Sequence, residues 1–190
     1  MKTIFSIGNP GDRYRDTRHN AGWWLADHLA TRWRFGPYRL AGDAISVAGQ
    51  VDDTPARIVR PLTFVNRSGR VLTAFAGESD FDAASDLLVL VDDVALEPGR
   101  FRLRARGSSG GHRGLESIEE ALSSSTYGRV RIGVGRPQDD RIQMSEYVTA
   151  APLPFEEETI LEAFEVMAEA IECWLREGIE PAMNRFNNSH

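Results

Sequence analysis

Leu-Leu-Val-Leu-Val, residues 87–91, is the longest wholly aliphatic run in the chain, and Asp86 and Asp92 bound it. A continuous apolar run of this length is typical of a strand that is buried on both faces. Such strands lie at the centre of largely parallel sheets that carry helices on both sides. We therefore expect residues 87–91 to form the central strand of an α/β fold.

The segments on either side of this run alternate between strand and helix patterns. Strands are predicted at residues 4–7, 45–51, 56–59, 100–105 and 130–134, and helices at residues 20–33, 68–76, 115–122 and 156–176. In the last of these helices one face is apolar, with Ile160, Leu161, Phe164, Met167, Ala168, Ile171, Trp174 and Leu175. The alternation predicts one three-layer α/β domain over residues 1–190, with a mixed, largely parallel sheet flanked by helices.

Composition narrows the class of protein. The chain has 190 residues, 42% of them hydrophobic, and a formal net charge of −6, which excludes a disordered or strongly cationic protein. Cys173 is the only cysteine, so neither an internal disulfide nor a cysteine-cluster metal site can form. The chain has no apolar run near the ~20 residues of a membrane span and no long apolar segment at its start. We expect a cytoplasmic protein that does not interact with membranes.

Unusual polar residues follow the two most strand-like segments. Asn9 comes after the strand at residues 4–7, and Asp92 comes directly after the central strand. Ligands of open α/β sheets bind at the carboxyl ends of the strands. His19, at the predicted start of the first helix, is a candidate general base because imidazole ionises near neutral pH. Asp92 is the obvious carboxylate to orient it.

Side-chain amides at Asn9, Asn20 and Asn66 are suited to donating hydrogen bonds to a developing oxyanion or a substrate carbonyl. The sequence has no serine elbow and no reactive-cysteine context, which favours water activated by histidine over a covalent intermediate. Taken singly, each of these residues is more often a helix cap or turn residue than a catalytic one.

Alternating arginines mark the predicted strand at residues 100–105. Arg100, Arg102, Arg104 and Arg106 occupy every second position, which in a strand places them on one face about 6.7 Å apart. The glycine-rich loop at residues 107–111 then opens a helix, whose N-terminus attracts anions. Together they predict a track for phosphates, and the alternative is the solvated, charge-guarded face of an edge strand.

Eight ordered motifs give the chain a resemblance to a known family. They are GNPG (8–11), Tyr14, TRHNAG (17–22), PLTFVNRSG (61–69), VDD (91–93), PGRFRLR (98–104), GSSGGHRGL (107–115) and RVRIGVGRP (129–137). From Ile4 to about Phe186 the chain resembles the bacterial peptidyl-tRNA hydrolases. The resemblance implies a monomer that hydrolyses the ester between a peptide and the 3′ ribose of tRNA, without a metal or other cofactor.

The resemblance also implies roles for individual residues. His19 matches the proton acceptor, Asp92 the residue that supports its basic form, and Asn9 a residue that discriminates blocked from free aminoacyl ends. Positions that bind the tRNA end are matched by Tyr14, Phe64 and Asn66. Further candidates for substrate or tRNA binding lie in the same motifs, at Asn20, His112 and Arg113.

Three positions depart from the family's usual pattern. Arg113 stands where the family usually has Asn, Val65 where it has Met, and Ala95 where it has an acid. The first change is chemically large, because a guanidinium donates only and stays charged, whereas an amide donates and accepts. Binding of a tRNA phosphate is one role open to Arg113. The alternative function for the whole chain is a noncatalytic RNA-binding relative, and an unrelated α/β nucleotide binder is a third hypothesis.

Overall fold

The run at residues 87–91 belongs to the central part of a seven-stranded sheet in the computed structural model of the chain, which describes residues 1–77 and 80–187. The strands are β1 (Lys2–Ser6), β2 (Arg39–Ala41), β3 (Ala44–Val51), β4 (Thr54–Pro61), β5 (Leu87–Asp93), β6 (Phe101–Arg104) and β7 (Gly128–Gly133). Their order is β2-β3-β4-β1-β5-β7-β6. Strands β4, β1, β5 and β7 are mutually parallel, and β2, β3 and β6 pair with antiparallel neighbours.

Helices cover both faces of this sheet. They are α1 (Ala21–Arg32), α2 (Ser68–Ala76), α3 (Ala83–Asp86), α4 (Arg113–Leu122), α5 (Met144–Val148), α6 (Pro154–Glu162), α7 (Phe164–Glu177) and α8 (Ile179–Phe186). Buried residues of α1, α7 and α8 pack on one face, and those of α2 and α4 pack on the other. The expected α/β fold with a mixed, largely parallel sheet and two helical layers is confirmed. The predicted single domain over residues 1–190 includes residues 78–79 and 188–190, which lie outside the described part of the chain.

Strand β5 is buried along its whole length, as its composition predicts. Leu88 and Leu90 belong to the core under α1 and α7, whereas Val89 and Val91 belong to the core under α2 and α4. Side chains alternate between the two faces of a strand. Asp92 therefore continues the row that faces α1.

The long helix predicted at residues 156–176 is wrong as a single element. It is divided into α6 and α7 at Ala163, whose ψ of −12° departs from the helical value of about −42°. No proline or glycine marks this point in the sequence, so composition gave no sign of the break. Most of the predicted apolar face is buried, but Leu161 is 44% exposed because it lies one position off the stripe that runs through Ile160 and Phe164.

The strand predicted at residues 100–105 is shorter and lies at the edge of the sheet as β6. Phe101 and Leu103 are buried in the core, so Arg102 and Arg104 occupy the opposite face. The side chain of Asn187 pairs with both backbone groups of Leu103, at 2.9 Å and 3.1 Å, and so covers the outer edge of the strand. An edge strand otherwise presents unpaired N–H and C=O groups.

The row of four arginines that was predicted on one face of this strand is reduced to two. Arg100 and Arg106 lie beyond the ends of β6, and Arg102 is half-buried, with Nη1 donating to the Asn187 carbonyl at 2.7 Å. The strand therefore presents two arginines and not four. No helix in the described ranges is long and apolar enough to cross a membrane.

Candidate active site

A cleft of about 500 Å³ lies where the parallel strands end. The carboxyl edge of an open α/β sheet is the usual place for a ligand. Six of the residues predicted for the site line this cleft: Asn9, His19, Asn66, Asp92, His112 and Arg113. They come from segments that are far apart in sequence, namely the connections after β1 and β4, the end of β5 and the start of α4.

Close packing of α1 against the sheet brings His19 to the cleft. His19 lies in the 3-10 turn Arg18–Asn20 that leads directly into α1. A Cβ atom on Gly22 would lie 2.8 Å from the carbonyl oxygen of Leu90 and 2.9 Å from that of Ile7. Glycine at this position therefore allows the start of α1 to approach the ends of β1 and β5.

A carboxylate joins the two histidines of the cleft. His19 Nδ1 lies 2.8 Å from Asp92 Oδ1, and His112 Nε2 lies 3.0 Å from the same oxygen. The two imidazole rings have centroids 5.0 Å apart and are tilted by 56°. The pairing of His19 with Asp92 expected from the sequence is present, whereas the contact of His112 with the same carboxylate was not anticipated.

Hydrogen bonding fixes the tautomer of each ring. An ionised carboxylate only accepts, so His19 Nδ1 and His112 Nε2 both donate to Asp92. His112 Nδ1 accepts from the Gly114 N–H at 3.1 Å, which occupies both nitrogens of that ring. His19 Nε2 makes no hydrogen bond to any other residue among 1–77 and 80–187, and its lone pair is the one available to a substrate or water.

The electrostatics of the pair favour a charged carboxylate and a basic imidazole. Burial by itself lowers the pKa of His19, but the charge of Asp92 and its hydrogen bond together raise the pKa above the ordinary 6.5. Burial by itself raises the pKa of Asp92, yet the two histidines hold that pKa far below its usual range. Asp92 therefore stays ionised, and His19 takes up a proton more readily than a free imidazole.

Asn9 is held rigidly, with its amide nitrogen available. Its side-chain oxygen accepts from the Val65 N–H at 3.1 Å, so Nδ2 is the part that remains to donate. Asn20 Oδ1 accepts from the Asn9 N–H at 2.8 Å, and Asn20 Nδ2 donates to the Asn9 carbonyl at 3.0 Å. Asn20 is 1% exposed and lies behind the cleft, where it clamps the Asn9 backbone.

Two predicted aromatic residues form a pair beside the cleft. The rings of Tyr14 and Phe64 meet edge to face, with centroids 6.1 Å apart and an interplanar angle of 85°. Phe64 is 52% exposed and immediately precedes the 3-10 turn Val65–Arg67 that carries Asn66. The pair presents an aromatic surface to solvent next to a cleft-lining amide.

Arginines approach the cleft from two elements. Arg113, the first residue of α4, is exposed and has no ion-pair partner within the described ranges. Arg131 of β7 also lines the cleft, and its Nε lies 2.9 Å from Asp93 Oδ2. Arg131 was not predicted as a site residue, although the RVRIGVGRP motif contains it. The cleft lining within the described ranges does not include Arg100, Arg102, Arg104 or Arg106.

Helix α5 supplies a wall that sequence analysis missed. Met144, Ser145, Val148 and Thr149 line the cleft. The apolar part of the lining comes from Met144 and Val148 of this helix, together with Val65, Val91 and Leu115. The segment at residues 137–154 is polar and rich in proline, and only the spacing of Met144 and Val148 on one helical face could have indicated an apolar wall.

His19, Asp92 and His112 also have the spacing of metal ligands. One ligand atom from each lies within 4.8 Å of the others, and no other such group of histidine, cysteine or acidic residues occurs among residues 1–77 and 80–187. The atoms concerned are the ones joined by the hydrogen bonds described above.

Comparison with known proteins places the chain in a family. The family model described as peptidyl-tRNA hydrolase matches residues 3–190. A peptidyl-tRNA hydrolase of Gemmatimonas aurantiaca is 45% identical over 187 residues, covering 97% of this chain and 98% of that protein. One of Syntrophomonas wolfei is 38% identical, covering 98% of this chain and all of that protein. The crystal structure of peptidyl-tRNA hydrolase from Acinetobacter baumannii is 28% identical, with a TM-score of 0.91 over 99% of this chain and 95% of that chain. The chain therefore belongs to the peptidyl-tRNA hydrolase family.

Proposed function

We propose that the chain hydrolyses the ester between a peptide, or an N-blocked amino acid, and the 3′ ribose of tRNA, with His19 as the general base that activates water. The activity follows from family membership. The observation that supports the catalytic assignment is the 2.8 Å contact of His19 Nδ1 with Asp92, which leaves Nε2 as the only proton acceptor of that ring.

The proposed reaction needs one proton relay. His19 Nε2 takes a proton from water as the water oxygen adds to the ester carbonyl, and the Asp92 charge stabilises the imidazolium. Nδ2 of Asn9 donates to the carbonyl oxygen as it gains negative charge. The proton then passes from His19 to the ribose 3′ oxygen as the C–O bond breaks, which gives a peptide acid and free tRNA.

His112 acts in this scheme through Asp92. Both of its ring nitrogens are occupied, one by the carboxylate at 3.0 Å and the other by the Gly114 N–H at 3.1 Å. It is a positioning residue that holds the carboxylate oriented toward His19. His112 caps the N-terminus of α4 and so links that helix to the proton relay.

The remaining predicted residues are assigned to the substrate. We assign the pair formed by the half-buried Tyr14 and the exposed Phe64 to stacking with the terminal bases, because aromatic rings stack on any base. Asn66 is assigned to the ribose or peptide end. Asn20 contributes by holding Asn9 and not by direct contact. The apolar wall, which includes Val148, is suited to the peptide side chain.

The tRNA backbone is assigned to arginines outside the cleft. Arg104 and Arg106 are exposed, as is Arg100 beyond the other end of β6, so all three can reach a solvated polyanion. Arg102 is half-buried and bonded to the Asn187 carbonyl, so its share of the binding should be the smallest. We propose in addition that the chain acts as a monomer, because one chain supplies every residue assigned to the reaction. We also propose that it acts in the cytoplasm.

The test of the function is release of an N-blocked amino acid from N-blocked aminoacyl-tRNA, with unblocked aminoacyl-tRNA as the control substrate. Release that is selective for the blocked substrate and insensitive to a chelator supports the proposal. tRNA binding without release would favour the noncatalytic alternative. In that case Arg113→Asn is the variant to examine for a gain of activity.

The raised pKa of His19 predicts the acid side of the pH profile. His19 must be neutral to accept a proton, so kcat/KM should rise with pH through a midpoint above the ordinary 6.5. The measurement is kcat/KM from about pH 5 to about pH 9, corrected for uncatalysed ester hydrolysis. A midpoint at or below 6.5 would contradict the assignment of His19.

Folding stability has the opposite dependence on the protonation of His19. The pKa of His19 is raised on folding, so its contribution is fully present below the unfolded pKa and is lost as pH rises through the folded pKa. Thermal denaturation at each pH separates this loss from the gain in activity, because the two change in opposite directions.

Arg113→Asn tests the phosphate role of the substituted position. Arg113 has no ion-pair partner among residues 1–77 and 80–187, so its removal should leave the fold and kcat nearly unchanged. Loss of one phosphate contact should raise KM several-fold and reduce the slope of log KM against log salt by about 0.7. A fall in kcat with an unchanged salt slope would place Arg113 in the chemical step instead.

A further inference from the structure

Arg18, the residue before His19, is buried and reaches away from the proton relay. Its side chain is 6% exposed, and its Nη2 donates to Glu156 Oε2 at 2.7 Å. Nη1 donates to the Ala151 carbonyl at 2.9 Å, and the backbone N–H donates to the Ala150 carbonyl at 3.1 Å. One residue thus ties the turn that carries His19 to the segment between α5 and α6.

The partners of Arg18 are themselves held in place. The Glu156 oxygen that accepts from Arg18 also accepts from the Leu153 N–H at 2.8 Å, at the start of α6. The Arg18 guanidinium carbon lies 4.0 Å from the ring centroid of Tyr147, and the Tyr147 hydroxyl donates to the Val134 carbonyl at 3.0 Å. The contacts of Arg18 therefore span both ends of the segment at residues 147–156.

Helix α5, whose C-terminal end lies in this segment, carries one wall of the cleft that contains His19. Met144 and Val148 of α5 line the cleft, and Tyr147, which stacks on Arg18, lies between them. A guanidinium suits this place because it binds several acceptors in one plane while stacking on an aromatic ring. A buried ion pair contributes little net stability compared with apolar packing, so its main physical contribution here is geometric.

We propose that Arg18 is a positioning residue that fixes the separation between His19 and α5, and thereby places the acyl part of the substrate against His19. The proposal rests on the proposed hydrolysis. Arg18 makes no hydrogen bond to the imidazole of His19 within the described ranges, and acts through the cleft wall.

The test combines kinetics with hydrogen exchange in Arg18→Met, Arg18→Lys and Glu156→Gln. In Arg18→Met we expect faster amide exchange over residues 144–157 and a fall of tenfold to about a hundredfold in kcat/KM, since small misplacement of reacting groups has effects of this size. Arg18→Lys should recover part of the activity, because it keeps the charge opposite Glu156. The pH midpoint of kcat/KM should stay at the wild-type value in all three variants.

Arg32→Met is the matched control. Like Arg18, Arg32 forms ion pairs with glutamate, in this case with both Glu165 and Glu172, but it lies on the outside of α1. The Arg32→Met substitution should leave both kcat/KM and amide exchange over residues 144–157 unchanged. If Arg18→Met is less stable than wild type, Glu156→Gln gives the same comparison with the arginine retained.

The outcomes separate this inference from the function. If the wild-type protein is active, an unchanged kcat/KM in Arg18→Met would overturn the positioning role. Unchanged amide exchange over residues 144–157 in that variant would overturn it as well. A shifted pH midpoint would also overturn it, because Arg18 would then act on His19 directly. An inactive wild-type protein would instead reject the proposed hydrolysis, and this role with it.

Discussion

Replacing His19 by alanine should reduce kcat for ester hydrolysis by about 10²–10⁴-fold, the range associated with loss of a general base. His19 Nε2 is the one unoccupied ring nitrogen of the His19, Asp92 and His112 group within the described ranges. Alanine provides no proton acceptor, and Asp92 lies too deep to replace it because its side chain is 1% exposed. The measurement is single-turnover release of an N-blocked amino acid, with tRNA binding and thermal melting measured on the same preparation.

His28→Ala is the matched control for this substitution. His28 lies within α1, the helix that the His19 turn precedes, but its Nε2 is 3.2 Å from Glu165 and it does not line the cleft. It should keep wild-type activity. Activity of His19→Ala within a few-fold of wild type would remove His19 from the reaction, whereas loss of melting cooperativity in that variant would direct the test to His19→Gln.

The sheet could be predicted because burial is visible in the sequence. A strand buried on both faces must be apolar throughout, and residues 87–91 satisfy that condition. The antiparallel pair β3 and β4 has a different kind of signal in the sequence, because the turn-forming residues Asp52 and Asp53 lie between the strands predicted at residues 45–51 and 56–59. The break between α6 and α7 could not, because Ala163 is a good helix former and only its backbone geometry interrupts the helix.

The centre of the site could be predicted because strand ends converge. Asn9 follows β1, Asp92 lies at the end of the neighbouring parallel strand β5, and His19 precedes the helix that packs on both strands. The wall at α5 could not be placed in this way, because its anchors are side-chain hydrogen bonds that sequence spacing does not reveal, such as that of the Tyr147 hydroxyl to the Val134 carbonyl just beyond β7. Its position depends on Arg18, whose partners lie 129 to 138 residues further along the chain.

Side-chain direction accounts for the other differences. Asn20 lies in a motif with His19, but its amide points to the Asn9 backbone and not into the cleft. The alternating arginines share one face only where β6 is a strand, which includes Arg102 and Arg104. Sequence spacing gives the face of a regular element, and does not give the partner that an individual polar group selects.

Asp92→Asn should lower both the plateau of kcat and the midpoint of the pH profile. An amide has no charge to stabilise the imidazolium, and loss of an orienting carboxylate in a related arrangement reduces kcat by about 10⁴-fold. Without that charge, burial is the dominant influence left on His19, and burial lowers the pKa of a histidine. The measurement is kcat/KM against pH for wild type and variant, with the variant assayed at high enzyme concentration.

Asp93→Asn is the matched control for Asp92→Asn, because it removes the same charge one residue further along the strand. Asp93 accepts from the Ala95 N–H at 2.9 Å, and its Oδ2 lies 2.9 Å from Nε of the cleft-lining Arg131. The Asp93→Asn substitution should therefore alter KM through Arg131, while the pH midpoint stays at the wild-type value. General loss of stability in Asp92→Asn would reduce activity at every pH without moving the midpoint. A lowered plateau with an unmoved or raised midpoint would therefore show that Asp92 supports the fold around His19 and does not tune its basicity.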